Sequence, residues 1–228
     1  NNINVIKGKS AVIISFLDGK QLQSILPHHC REVGSIISKF TNITKSSKLM
    51  RKNSMNIDAW EKIFKKCKEN STGIYDTYLE ILENELSYLK KNWPNNLPEA
   101  IIHADLFPDN VFFIENKISG IIDFYFSCKD FIAYEIALTI NAWCFDLVNG
   151  FQHKNYISLM NGYKEYSSLN NQEMKALNIL LRGAAVRILV TRLHDKIFHP
   201  KDALVFPKDP KEYLNILKWH QKNNIIEL

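Results

Sequence analysis

The sequence predicts an α+β chain, mainly helical, arranged around one small β-hairpin. Long stretches on both sides of residue 100 place apolar residues three and four apart, the period of a one-faced helix. Between them, residues 101–123 read IIHADLFPDNVFFIENKISGIID, short apolar runs separated by turn residues, as strands are. The 228 residues, 46% hydrophobic and 23% charged, suffice for one large or two small domains.

Taken in order, residues 12–17 are rich in β-branched side chains and end at Asp18-Gly19, so they predict a buried strand followed by a turn. Few local partners exist for that strand, and a strand needs partners. A helix follows, with Ser24 as cap and Pro27 in its first turn. Its apolar face holds Cys30, Val33, Ile36, Ile37 and Phe40. Residues 41–57 are polar and aperiodic and predict a loop. Asp58 caps a helix that breaks at Ser71-Thr72-Gly73, and a longer helix runs from about Tyr75 to Trp93, ending before Pro94. Residues 101–102 form a short strand, and residues 111–114 and 118–122 a hairpin around Glu115-Asn116-Lys117. Asp130 caps a helix to about Leu147, which Asn149-Gly150 stops. Helices over residues 154–166, 171–197 (with a break near Gly183) and 211–222 complete the chain.

Bulk properties exclude several roles. The net charge of +5 is mild, and Lys65, Lys66, Lys68, Lys90 and Lys91 sit among helical apolar positions as solvated faces. No compact basic run points to nucleic acid. A basic balance also suits a polyanionic substrate such as a nucleotide. The four cysteines are far apart without a CxxC pair, so neither a zinc site nor a redox motif is indicated, and buried thiols suit a reducing cytoplasm. The first residues do not read as a signal peptide, and residues 11–17 are too short to span a bilayer. A cytoplasmic, non-membrane protein is expected.

The chemistry concentrates in residues 103–123. His103-Ala104-Asp105-Leu106-Phe107-Pro108-Asp109-Asn110 fits H-x-D-x-x-x-x-N, the spacing of the protein-kinase catalytic loop. Phosphoryl transfer asks mainly for positioning and charge neutralisation. One carboxylate must meet the attacking hydroxyl, and oxygen ligands must hold magnesium against the triphosphate. Asp123 follows Asn110 by thirteen residues, across the hairpin, which brings it to the same end of the sheet. An acid there can ligate Mg²⁺ through oxygen. His103, at a strand end, is read as a backbone hydrogen-bonder that shapes the loop. Asp109 either faces solvent, a second metal or a loop amide, or steadies the turn before Asn110. Asp130 is read as a helix cap and Trp143 as core.

At these residues the chain resembles the aminoglycoside phosphotransferase and choline kinase superfamily, relatives of the protein kinases, and within it the bacterial homoserine kinases. The resemblance runs through IIHADLFPDNVFF, SGIIDFYFSCKD, AYEIALTINAWCFD, LLRGAAVRILVTRLHD and FPKDPKEYL. It implies a protein-kinase-like C-terminal lobe over residues 19–228, with residues 1–18 a remnant of the nucleotide-binding N-terminal lobe and hinge. It implies Asp105 as catalytic base, Asn110 and Asp123 as Mg²⁺ ligands, and backbone pairing of adenine by Phe16, Leu17 and Asp18. ATP is then the donor and homoserine the acceptor, giving O-phospho-L-homoserine for threonine biosynthesis. Family members carry most of the nucleotide lobe ahead of residue 12, so a truncated or split product that transfers phosphate poorly by itself is expected, its missing lobe supplied by the full-length gene product.

Homoserine's carboxylate calls for an arginine. Arg187 and Arg192 are the candidates, five residues apart and so about 140° apart on a helix. Arg192 is also expected to pair with Asp195 along the helix. Tyr125, near Asp123, is a candidate pocket wall. Choline or another small alcohol is the alternative acceptor, and a non-catalytic orphan lobe the third reading.

Overall fold

A computed structural model describes residues 4–200 and 203–227. The elements are β1 (Asn4–Ile6), β2 (Lys9–Ala11), α1 (Pro27–Thr44), α2 (Ile57–Asn70), α3 (Asp76–Asn92), β3 (Glu99–Ile102), β4 (Val111–Ile114), β5 (Lys117–Ile121), β6 (Cys128–Phe131), α4 (Ile132–Trp143), β7 (Phe145–Asp146), β8 (Gly150–Phe151), α5 (His153–Tyr163), α6 (Asn171–Ile197) and α7 (Lys211–Lys222). The strands form four antiparallel pairs, β1 with β2, β3 with β6, β4 with β5 and β7 with β8. The predicted α+β class holds.

Helix α6 is the axis of the helical body, touching α2, α3, α4 and α7. Leu177, Leu180, Leu181, Ala184, Ala185, Val186, Leu189 and Val190 are all fully buried along it. The helix is continuous, so the break expected near Gly183 is absent. That glycine serves packing instead. A Cβ there would lie 2.3 Å from the Trp93 ring, so only glycine lets the indole approach. Helices α1 and α5 cross still more closely. A Cβ on Gly34 would lie 1.9 Å from the Leu159 carbonyl oxygen, and one on Gly162 1.9 Å from that of Arg31.

Several boundaries differ from expectation. Helix α1 starts at Pro27 with Leu26 as its N-cap residue, not Ser24, and the His29 Nδ1 accepts from the Leu26 amide at 3.2 Å. It runs on to Thr44, whose hydroxyl donates to the Ile101 carbonyl at 2.8 Å and ties α1 to β3. Asn56, rather than Asp58, caps α2 by accepting from the Ala59 amide. Asp130 lies within β6 and accepts from Asn53 and from the Phe131 amide, so it is not the helix cap. Helix α4 stops at Trp143, and a small hairpin follows whose turn is held by Asp146 accepting from the amides of Val148 and Asn149.

The largest correction concerns residues 12–17. They form no strand. Ile13 is 94% exposed and Phe16 92% exposed, and the short β1–β2 hairpin before them is also exposed. Apolar, β-branched content gives strand propensity, but the ladder needs a neighbour to bond, and none is present among the described residues. Contact resumes at Leu17, whose side chain fills the space over Gly120 of β5. Lys20 then exchanges backbone bonds of 2.9 Å with Phe113 of β4. The four cysteines are free and buried, as expected. Among the described residues no helix is long and apolar enough to cross a membrane.

Candidate phosphoryl-transfer site

The site is built on the turn that leaves β3. His103 and Ala104 follow the strand, and Ala104 takes φ +62°, a left-handed conformation costly for a residue with a Cβ. Two buried side chains hold it there. Glu135 in the first turn of α4 accepts from the Ala104 amide at 2.7 Å, and Arg187 of α6 donates to the Ala104 carbonyl at 2.5 Å. Glu135 is 1% exposed and Arg187 2%. The next residue, Asp105, is aimed by this clamp.

The rest of the loop is fixed by its own backbone. The Phe107 amide donates to the Asp105 carbonyl at 2.8 Å, and the Asn110 amide to the Phe107 carbonyl at 2.9 Å. The buried Trp143 indole donates to the Leu106 carbonyl at 2.7 Å, so this residue is core, as expected, and also a loop anchor. The Asn110 side-chain NH₂ donates to the Asp105 carbonyl at 2.9 Å. That contact orients the amide and leaves its oxygen on the opposite side, as a metal ligand needs.

Asp123 joins this constellation through the hairpin. The Ile122 amide donates to the Asn110 carbonyl at 3.0 Å, and His103 Nε2 meets the Ile122 carbonyl at 3.0 Å. The chain then turns at Asp123, again at φ +62°, and its carboxylate accepts from the Tyr125 amide at 3.3 Å. Asp123 is exposed, Asn110 half-buried. The two are therefore neighbours at one end of the sheet, with oxygens free to take a cation. Mg²⁺ needs few protein oxygens where phosphates and water complete its shell, and this donor set fits it.

The electrostatics sort the titratable groups. Burial pushes the Asp105 carboxyl above its ordinary range, Arg187 opposes that rise with its guanidinium 3.7 Å away, and the carboxylates of Asp123 and Asp109 add to it. Burial likewise holds His103 below the usual histidine range, so it is neutral near pH 7 and unsuited to carry the reaction's proton. Its Nδ1 accepts from the Asp105 amide at 3.3 Å, a loop-shaping bond of the kind expected.

Glu135 is pushed up from 4.5 to about 7 by burial, against the opposing pull of the Ala104 amide and Arg187. Between those two values the folded chain keeps a proton that the unfolded chain has released, so this group costs stability as pH rises through the window. The full loss is on the order of 3 kcal/mol. Glu135→Gln keeps an acceptor for Ala104 and removes the titration. Its thermal melting temperature is expected to fall less between pH 4.5 and about 7 than that of the unmodified chain. Equal slopes would assign the pH dependence to the other raised carboxyls, Asp105, Asp130 and Glu173.

The remaining candidates lie apart from one another. Arg187 does not face an open pocket. It is enclosed beneath the loop, against Ala104, Asp105 and the Phe126 ring. Arg192 borders a cleft of about 570 Å³, but its pairing differs from expectation. It bonds Glu212 of α7 and the Asp209 carbonyl and stacks on Tyr213, while Asp195 meets His194. Tyr125 is 70% exposed, with Arg51 over its ring at 5.7 Å. Phe16 is open to solvent, and Asp18 contributes its carbonyl to the Ser119 hydroxyl at 2.6 Å. Glu135 and Lys208, which borders the same cleft, were not singled out by motif. The signal for Glu135 was available, since it is a lone acid in the apolar run IAYEIALTI.

A helical lobe carrying this loop and hairpin is the architecture of protein-kinase-like phosphotransferases. The amicoumacin kinase solved in complex with AMP-PNP, Ca²⁺ and Ami matches it at TM-score 0.64 and 12% identity, covering 91% of this chain and 63% of that one. The phosphotransferase enzyme family model matches residues 3–163, and the chain belongs to that family. Among curated relatives, the homoserine kinase of Parvibaculum lavamentivorans is 43% identical over 213 residues, 93% of this chain and 66% of that protein. The homoserine kinase of Sinorhizobium fredii is 40% identical over 219 residues, 96% of this chain and 67% of that protein. The chain thus spans about two thirds of the length of these relatives.

Proposed function

We propose that this chain is the catalytic, acceptor-binding part of a kinase that moves the γ-phosphoryl group of ATP to the hydroxyl of L-homoserine. The product is O-phospho-L-homoserine, an intermediate on the way to threonine. The observation that supports this reading most is the joint geometry of the loop and hairpin, in which Asn110 bonds the Asp105 carbonyl and the Ile122 amide bonds Asn110. The homoserine kinase relatives support the choice of acceptor.

In this reading Asp105 orients the homoserine hydroxyl and takes its proton as the oxygen–phosphorus bond forms. Asn110 and Asp123 hold Mg²⁺, which when bound offsets the charge of the triphosphate. The Ala104 clamp of Glu135 and Arg187 fixes the direction of the base, which matters because effective proximity falls steeply with misplacement. Residues 16–18 are the proposed hinge that pairs with adenine, and residues 1–18 the edge of the nucleotide lobe. With residues 12–16 uncovered, turnover by the 228-residue chain alone is expected to be weak.

The test is ATP turnover against a panel of L-homoserine, choline, ethanolamine and an aminoglycoside. Selective phosphorylation of L-homoserine is expected. Turnover of choline with none of L-homoserine would remove the proposed acceptor and leave the reaction class.

A further inference from the structure

The segment FPKDPKEYL stands out in the sequence, and the chemistry above does not use it. In the fold it leads into α7 and forms one wall of the 570 Å³ cleft, opposite the catalytic loop. Lys208 reaches across and meets the Asp109 carboxylate at 2.8 Å. Phe107 and Tyr213 line the same cleft, and the Lys208 ammonium lies 5.9 Å from the centre of the Phe107 ring.

We infer that Lys208 and Asp109 read the amino-acid end of the acceptor, Lys208 taking its carboxylate and Asp109 its ammonium. This rests on the reading of the chain as a homoserine kinase. The loop folds back on the Asp105 carbonyl, which accepts from the Phe107 amide at 2.8 Å and from the Asn110 side chain at 2.9 Å. That fold keeps Asp109, which lines the cleft, on the loop that carries Asp105. A zwitterion inserted into the Lys208–Asp109 pair replaces each charge by one of the same sign. That exchange leaves no group unpaired. The pair is more than half exposed on the lysine side and half exposed on the aspartate side, so opening it costs little.

Arg192 is less suited to the carboxylate. It is nine-tenths buried, and its guanidinium already serves Glu212 and Asp209 and lies 4.6 Å from the Tyr213 ring centre. It braces the wall that carries Lys208. A lysine ammonium has three donors, and the contact to Asp109 uses one. A choline-like acceptor offers Asp109 a cation but has no anion to replace Asp109 at Lys208, so it leaves the lysine without its partner and is selected against.

Calorimetric titration separates the parts. The ligands are L-homoserine, homoserinol (no carboxylate) and 4-hydroxybutyrate (no ammonium). The unmodified chain is expected to prefer L-homoserine over either analogue by about 10-fold or more, the worth of a charged hydrogen bond. Lys208→Met should abolish the preference over homoserinol, and Asp109→Asn the preference over 4-hydroxybutyrate. Both residues are at the surface, and melting curves check that the variants fold. Full L-homoserine affinity in both variants overturns the inference and leaves the proposed function standing. An unmodified chain that binds none of the three at about 10 mM, tenfold above the usual KM ceiling, overturns both.

Discussion

Asp105→Asn is expected to lower kcat by about 10²–10⁴-fold, the usual contribution of a positioned base. The chain should still fold. The amide has the same shape as the carboxylate, and the loop around it is held mainly by backbone bonds. Asn110 donates to the Asp105 carbonyl at 2.9 Å, whereas its contact with the carboxylate is 3.5 Å, the limit of a hydrogen bond. Losing that outer contact costs little. The nearby Arg187 loses a counterion at 3.7 Å but keeps the Ala104 carbonyl. The loss therefore falls on chemistry, and kcat should drop with KM for ATP nearly constant. Steady-state kinetics with ATP and L-homoserine, beside a melting curve, decides it. A rate near that of the unmodified chain would remove Asp105 as the base.

What the sequence made legible follows from how local each signal is. Helices α6 and α7 and the β4–β5 hairpin were readable because their apolar periods are long or their turn is explicit. Strand β6 was not. Its residues, Cys128–Phe131, carry no clear alternation, and its partner β3 lies more than twenty residues earlier in the chain. Residues 12–17 failed in the opposite direction. Their composition favours a strand, and tertiary surroundings decide whether it forms.

The site divides in the same way. The spacing of Asp105 and Asn110 is a property of one short loop, so sequence could place them together. The clamp around Ala104 joins residues 31 and 83 positions away, and no local pattern records that. Composition could have flagged it. An ionisable group inside a run that is apolar all round is buried, and a buried charge needs a partner. Glu135 and Arg187 both meet that description. Its place on α6 also makes Arg187 a candidate partner for the acceptor's carboxylate, and the structure turns it inward toward the loop.

The replacement Arg187→Met is expected to be the most costly to the fold and to move the pH dependence of the reaction. Methionine fills much of the same volume, so the change isolates charge and hydrogen bonding. Removing one partner of a buried ion pair costs about 3–5 kcal/mol. Here Asp105 and the fully buried Glu135 both lose their cation, and the Ala104 carbonyl loses its donor. Relief of the buried guanidinium's own desolvation works against this, and Glu135 can soften the loss by staying protonated. The expected value is thus near the lower end, about 3 kcal/mol, read from urea midpoints. The kinetic effect has a definite sign. Burial, Asp123 and Asp109 all push the Asp105 carboxyl up, and Arg187 is the main group holding it down. Without it the base ionises at higher pH, so the acid limb of the kcat profile moves upward. Arg187→Lys separates the two contributions. It restores a charge without the fork that bonds the Ala104 carbonyl, so it should recover part of the limb and only the charge-dependent part of the stability. An acid limb unmoved in Arg187→Met would show that Arg187 anchors the loop without tuning its base.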